Sequence, residues 1–356
     1  MNSEKIIPLH EISEIETKTV LKAAALAHRA LGELKGLALT IPNQNILLST
    51  LSLQEAKESS EIENIVTTQD DLYQSNYPVK QFSTHSAKEV HSYANALTFG
   101  FEKVKESGLL TNNTIVEMQK IIEENNAGFR KQAGTSLVNN LTGEVIFTPP
   151  QSAEEVISLM TDLENFINND ELSDFDTLVK MALIHHRFET IHPFYDGNGR
   201  TGRIINVLFL TNKNILDTPI LYLSRYINRN KSDYYRFLQE VRDTGSWENW
   251  LLFMMSALEN TASHTSGVIR ELVQLMKEYK AIIKEQLPKI YSHELINNLF
   301  KYPYTKIEYI TEDLGLHRNT ARKYLDQLID IGLLERHKKG KENYYLNKRL
   351  FDLLTK

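Results

Sequence analysis

Apolar positions along this chain fall mostly at helical spacing. Leu178, Met181, Ala182 and Leu183 lead a segment that runs through 185–189 to Ile191, and they predict a buried helix. Ile204, Ile205, Val207, Leu208, Phe209 and Leu210 form a denser run and predict a second buried helix. The polar, glycine-containing stretch 192–203 separates the two. Residues 51–57 favour helix, which would put Ser59 and Glu63 on one helical face. Two short β-favouring runs flank turn residues at 139–143, and Pro149 and Pro150 end the second, so a hairpin is predicted over about 137–148. Residues 261–287 read as a helical connector. Towards the C-terminus, 307–316 reads as a helix ending in a glycine turn and 317–331 as a second helix. Runs 333–336 and 343–346 read as strands joined by the basic tip 337–341. Helix, turn, helix and wing predict a winged helix-turn-helix.

The loop at 192–203 concentrates chemistry. His192 titrates near neutrality and can take a proton from an attacking hydroxyl. Asp196 is a hard oxygen ligand suited to Mg²⁺ bridging phosphates. Gly197 and Gly199 let backbone approach an anion closely. Asn198 can donate from its amide. Arg200 and Arg203 stand three apart, on one face of a first helical turn, and can clamp phosphates. Cations at a helix start oppose its dipole, and a bound polyphosphate offsets that. Phe194 is expected in the core. His185 and His186 are adjacent, so their side chains diverge by about 100° and cannot chelate together; packing roles are expected. Trp247 and Trp250 are expected to close the end of the core.

Read together, His192, Phe194, Asp196, Gly197, Asn198, Gly199, Arg200 and Arg203 match the pattern HxFx(D/E)GNGRxxR. The segment therefore resembles the signature of the Fic (filamentation induced by cAMP) proteins. The resemblance implies AMP transfer from ATP, with Mg²⁺, onto a Ser, Thr or Tyr hydroxyl of a target protein. It implies His192 as the catalytic base and Asp196 as the metal ligand. It places Gly197, Asn198, Gly199, Arg200, Thr201, Gly202 and Arg203 at the phosphates and Tyr234, Tyr235 and Arg242 near the nucleoside. Ser59, Glu63 and Asn64 match the inhibitory pattern (S/T)xxxE(G/N). By resemblance, Glu63 pairs with Arg203 and denies that cation to the γ-phosphate, which makes a helix over about 52–66 an N-terminal inhibitory helix. The hairpin resembles the flap along which a target segment docks by strand addition.

The chain has 356 residues, a formal charge of −6 and no cysteine, which excludes disulfides and thiolate metal sites. The expected class is mostly α: a Fic-type helical core with a β-hairpin flap, plus an α+β winged helix-turn-helix. The expected layout is 1–112 N-terminal helical region, 113–258 catalytic core, 259–287 connector and 288–356 winged helix. From Lys284 onward 14 Lys and Arg face 10 Asp and Glu, and the remainder carries 26 against 36. The tail therefore reads as a separate, basic body with two roles open, DNA binding through Arg318, Arg322 and Lys323 or protein interaction. Residues 1–8 lack a secretory n-region and no apolar run approaches a membrane span, so a cytoplasmic location without membrane contact is expected. Self-modification and a homodimer are further open partnerships. Removal of AMP, another phosphate transfer by the same loop, and a nucleotide-sensing DNA-binding regulator stand as alternative functions.

Overall fold

Side-chain caps set where most helices begin. Thr17, Asn43, Thr84 and Thr111 each accept from an amide two or three residues on, and start α1 (Lys18–Ala38), α2 (Gln44–Ile62), α4 (His85–Ser107) and α5 (Asn112–Glu123); the short α3 (Gln69–Gln74) precedes α4. Ser152 and Asp176 likewise start α6 (Ala153–Asn168) and α7 (Thr177–Ile191). Next come α8 (Asn198–Asn212), α9 (Leu223–Arg229), α10 (Lys231–Thr244) and α11 (Glu248–Gln286). This computed structural model describes residues 6–74, 82–138, 143–339 and 342–355. No helix among them is long and apolar enough to cross a membrane.

Two of these helices build the frame. On α1, Val20, Ala24, Ala27, Leu31 and Leu34 recur at three and four residues and are buried along α11. The connector expected at 259–287 is not a separate element. Buried positions continue from Phe253 and Leu258 through Ala262, Ile269 and Leu272 to Tyr279 and Ile283, so one unbroken helix crosses the expected boundary at 258. Trp250, fully buried, donates its indole N–H to the Ala182 carbonyl at 3.0 Å and ties α11 to α7.

The hairpin is short: β1 (Leu137–Val138) pairs antiparallel with β2 (Val145–Phe147), Leu137 opposite Phe147. Its expected turn residues 139–142 lie outside the described residues. The C-terminal portion runs α12 (His293–Lys301), β3 (Tyr304–Thr305), α13 (Ile307–Leu314), α14 (Arg318–Asp330), β4 (Glu335–Lys339), β5 (Glu342–Leu346) and α15 (Lys348–Leu354), with sheet order β3-β5-β4. Within it α13, α14 and the pair β4–β5 follow the order expected from the sequence, helix, turn, helix and two strands. The first wing strand starts at Glu335 rather than Leu333. The Leu333 and Leu334 amides still bond back to the Leu328 carbonyl, after Gly332 turns at φ 73°. Tip residues 340–341 lie outside the described residues.

The tail is not the separate body its charge suggested. Ser49 of α2 donates to the Lys301 carbonyl at 3.3 Å, Tyr304 to Asp70 at 2.6 Å and Tyr344 to the Gln74 carbonyl at 3.2 Å. The Tyr73 ring meets Phe351 edge-on at 6.1 Å. Hydrogen bonds and a ring contact of this kind do not depend on the net charge of either part, which is why composition does not reveal them. Truncation after Leu287 strips this flank from α2 and α3, so the shortened chain is expected to melt several degrees lower in a circular dichroism scan. An unchanged melting temperature would mean that α2 does not lean on the tail.

Candidate functional site

His192 ends α7 in a left-handed conformation, φ 49° and ψ 60°, while its amide donates to the Phe188 carbonyl at 2.9 Å. A side chain with a Cβ holds that conformation at a cost of about 1–3 kcal/mol, so neighbouring contacts must impose it. Arg130 supplies several. Its Nε donates to the His192 carbonyl at 2.8 Å and its Nη2 to the Ile191 carbonyl at 3.2 Å, while its amide donates to Pro193 at 2.8 Å. Phe194 is fully buried between Phe129 and Phe188. Asn198 turns inward: its Oδ1 accepts from the Phe194 amide and its Nδ2 donates to the Phe194 carbonyl, both at 2.9 Å. Its side chain therefore braces the loop and is not aimed outward as a phosphate donor, the role expected for it. Gly197, at φ 77°, opens α8 without a side-chain cap among the described residues, so first-turn amides remain for an anion. Exposed Asp196 sits at the rim, one oxygen accepting from the Gly197 amide at 2.7 Å.

The two arginines are engaged by carboxylates. Arg203 is 1% exposed. Its Nε donates to Ser59 Oγ at 2.7 Å, and its Nη2 donates to the Ser59 carbonyl at 2.9 Å and to Glu63 Oε1 at 2.8 Å. Burial opposes both charges of this pair, and their mutual attraction outweighs it: Glu63 is held below the usual carboxylate range and Arg203 above its own ordinary value. Arg200 meets Glu89 at 3.1 Å and Glu123 at 2.6 Å. Burial, then the surrounding acids against Arg200, raises Glu123.

The inhibitory pattern acquires a geometric meaning. Ile65 donates to the Ser60 carbonyl and Asn64 to the Glu61 carbonyl, both at 3.0 Å, and Asn64 is left-handed at φ 65°. This is a Schellman stop, which needs Gly or Asn at that position. The helix consequently runs Gln44–Ile62 rather than over about 52–66. The stop turns Glu63 onto α8. A Cβ on Gly199 would lie 2.3 Å from Glu63 Oε1, so the carboxylate rests where an anion bound to the first turn of α8 would sit.

Around this pair several buried polar atoms have no hydrogen-bond partner among the described residues: Glu189 Oε1, His192 Nδ1, Arg200 Nε and Thr201 Oγ1. Buried groups left this way mark a place for a ligand or water. Burial, then Arg242 and Arg130, pushes His192 down to about 4 against Glu63 and Asp196, so the imidazole is neutral at physiological pH. Burial lifts Glu189 to about 7. Gly202 faces Glu189 and Phe188 within α8, where a Cβ would lie 2.8 and 3.0 Å away.

The nucleoside residues divide. Tyr235 is 45% exposed at the rim, whereas Tyr234 is buried with its hydroxyl 2.9 Å from His185 Nε2. Arg242 donates to the Glu189 carbonyl at 3.1 Å and lies 4.1 Å from the centre of the Phe147 ring, linking α10 to the flap. His185 stacks on Trp250, and His186 meets Trp247 edge-on, so both histidines pack. Arg130, Glu89, Glu123 and Glu189 were not visible as site residues. The first three lie far from the loop in sequence, while Glu189, three residues before His192, sat in a segment read as helix alone.

The Fic/DOC family N-terminal model matches residues 21–102 and the Fic/DOC family model residues 109–210, which together exceed half of the chain. A third model, the C-terminal domain of SoFic-like protein adenylyltransferases, matches residues 275–350. A probable protein adenylyltransferase of Aquifex aeolicus is 34% identical over 82 residues, 23% of this chain and 25% of that protein. The protein adenylyltransferase fic-1 of Caenorhabditis briggsae is 23% identical over 146 residues, 41% of this chain and 26% of its own. The chain thus spans about a quarter of the length of these curated relatives. Among solved structures, a Fic family protein from Desulfovibrio desulfuricans G20 superposes with a TM-score of 0.58 at 21% identity, over 93% of this chain and 97% of that one. A Fic-1 fragment from Caenorhabditis elegans gives 0.54 at 20% identity, over 70% and 73%. With its helical fold and its loop between α7 and α8, this chain belongs to the Fic/DOC family.

Proposed function

We propose that this protein is an adenylyltransferase that moves AMP from ATP to a Ser, Thr or Tyr hydroxyl of a protein, and that Glu63 holds it inhibited. The observation that carries this reading is the Glu63 carboxylate on buried Arg203, lying against Gly199 beside the neutral imidazole of His192. A carboxylate there mimics one phosphate group, and ATP must displace it to reach Arg203. The acceptor hydroxyl oxygen attacks the α-phosphorus, its proton passes to His192, and the bond to the β-phosphate oxygen breaks to release pyrophosphate. The first-turn amides of Asn198, Gly199 and Arg200, the Arg200 side chain and the orphaned Thr201 hydroxyl fit the phosphates. Mg²⁺, which takes one or two carboxylates with phosphate oxygens, would be held by Asp196 and would offset the negative charge there. Tyr235 and Arg242 border the nucleoside, with Tyr234 behind them. The flap carries exposed Val138, Val145 and Ile146 beside a short strand pair, apolar contact for a target segment at 137–148. In the tail, Arg318 pairs with Glu308 and Arg336 with Asp326, which favours a protein-contact role over DNA binding.

Three outcomes are expected. With α-labelled ATP, label moves to protein and His192→Ala abolishes transfer while ATP still binds; label arriving from the γ-phosphate instead would make the enzyme a kinase. Glu63→Gly raises transfer at least about tenfold, equivalent to about 1.4 kcal/mol of blocking interaction removed; unchanged or lost activity would end the inhibition reading. In an NMR titration, the His192 ring protonates near pH 4 rather than at an ordinary histidine value. Its unfolded counterpart protonates first, so folding stability drains away as pH falls from about 6.5 towards 4. A ring midpoint close to 6.5 would show that burial does not keep the base neutral.

A further inference from the structure

We infer that Arg130 is a positioning residue for the base: its guanidinium fixes the main chain at His192 and joins it to the foot of the flap. The inference rests on His192 acting as the base proposed above. Arg130 lies between α5 and β1, is 1% exposed, and directs its donors at main-chain carbonyls. Nε reaches His192 at 2.8 Å, and Nη2 reaches Ile191 at 3.2 Å and also Pro150, just past β2. Its own amide holds the Pro193 carbonyl at 2.8 Å. Among the described residues it makes no ion pair, and its Nη1 is buried without a partner. A buried guanidinium without a carboxylate is expensive, and a neutral amide side chain could serve two carbonyls at a lower desolvation cost. The charge therefore calls for a reason beyond packing.

The geometry supplies two. Two of the three carbonyls its guanidinium binds, those of Ile191 and His192, close the end of α7, where the helix dipole favours a cation and where His192 is held in its left-handed conformation. Through Pro150, the same side chain ties the base to the strand along which an acceptor would lie, so base and acceptor share one reference point. The charge also acts on the ring. The groups facing His192 are Arg130 from this loop, Arg242 from α10, Glu63 from the end of α2 and Asp196 from the loop itself. Arg130 and Arg242 disfavour a third positive charge there and keep the ring able to accept a proton.

The experiment uses the full chain in the Glu63→Gly background, with Arg130→Lys and Arg130→Gln. Lysine keeps the charge and loses the fork, while glutamine loses the charge. Both variants are expected to lose about tenfold or more in kcat, with KM for ATP within about twofold. The His192 midpoint is expected to rise in Arg130→Gln and to stay in place in Arg130→Lys. A helix-end cap of purely structural role would instead lower the melting temperature and leave kcat per folded molecule and the His192 midpoint unchanged; that result overturns the inference. Should Arg130→Gln fail to fold, Arg130→Lys decides alone through kcat, and wild-type kcat there refutes the positioning role. His192→Ala is the control: if it still transfers AMP, the base reading falls, whereas if it is inactive and the Arg130 variants are normal, only this inference falls.

Discussion

A guanidinium that is 1% exposed cannot stand without compensation, and the placement of Arg203 governs the rest of the molecule. Breaking a buried ion pair by removing one partner costs about 3–5 kcal/mol, because a charge is left behind in a poor solvent. Taking the carboxylate away from Arg203 therefore carries that cost unless another anion takes its place at the start of α8. Glu63, just past α2, supplies one; in the proposed function a nucleotide phosphate would supply another. The two partners differ in burial. Arg203 is sealed in, whereas about a third of the Glu63 side chain is open to solvent, so the carboxylate is the partner able to leave.

The rest of α2 is placed to hold that carboxylate in register. One turn before Ser59, Glu55 is buried and pushed up to about 7, accepting from Tyr93 at 3.1 Å and from Ser224. Glu58 accepts from Asn228 at 3.0 Å, and Gln54 reaches Tyr73, whose ring meets Phe351 of α15. The helix is thus gripped by α4 and α9 on one side and by the C-terminal portion on another. These contacts fix the helix whose C-cap is Glu63.

Local sequence carried the parts that depend on local chemistry. The loop 192–203 and the helix start after it could be read because glycine and spacing dictate backbone shape directly, whereas the helix expected over about 52–66 ends at Ile62, where left-handed Asn64 turns the chain. The strand at Leu333 was misplaced because Gly332 bends back onto the helix before the wing begins. The boundary at 258 was misplaced because a change of role along α11 leaves no change in apolar period. Arg130, Glu89 and Glu123 were invisible for a different reason: each meets the loop only after α4, α5 and the hairpin have packed. Asn198 was legible as a loop residue, but which way its amide points depends on Phe194 being anchored in the core.

The pairing of α1 with α11 also fixes an order of assembly. The apolar face of α1 is complete at Ala38, but its partner begins only at Glu248, 210 residues later. At a synthesis rate of about 5–20 residues per second, that face waits about 10–40 s on the ribosome before the helix that covers most of it begins to be made. Contacts so distant in sequence also close slowly.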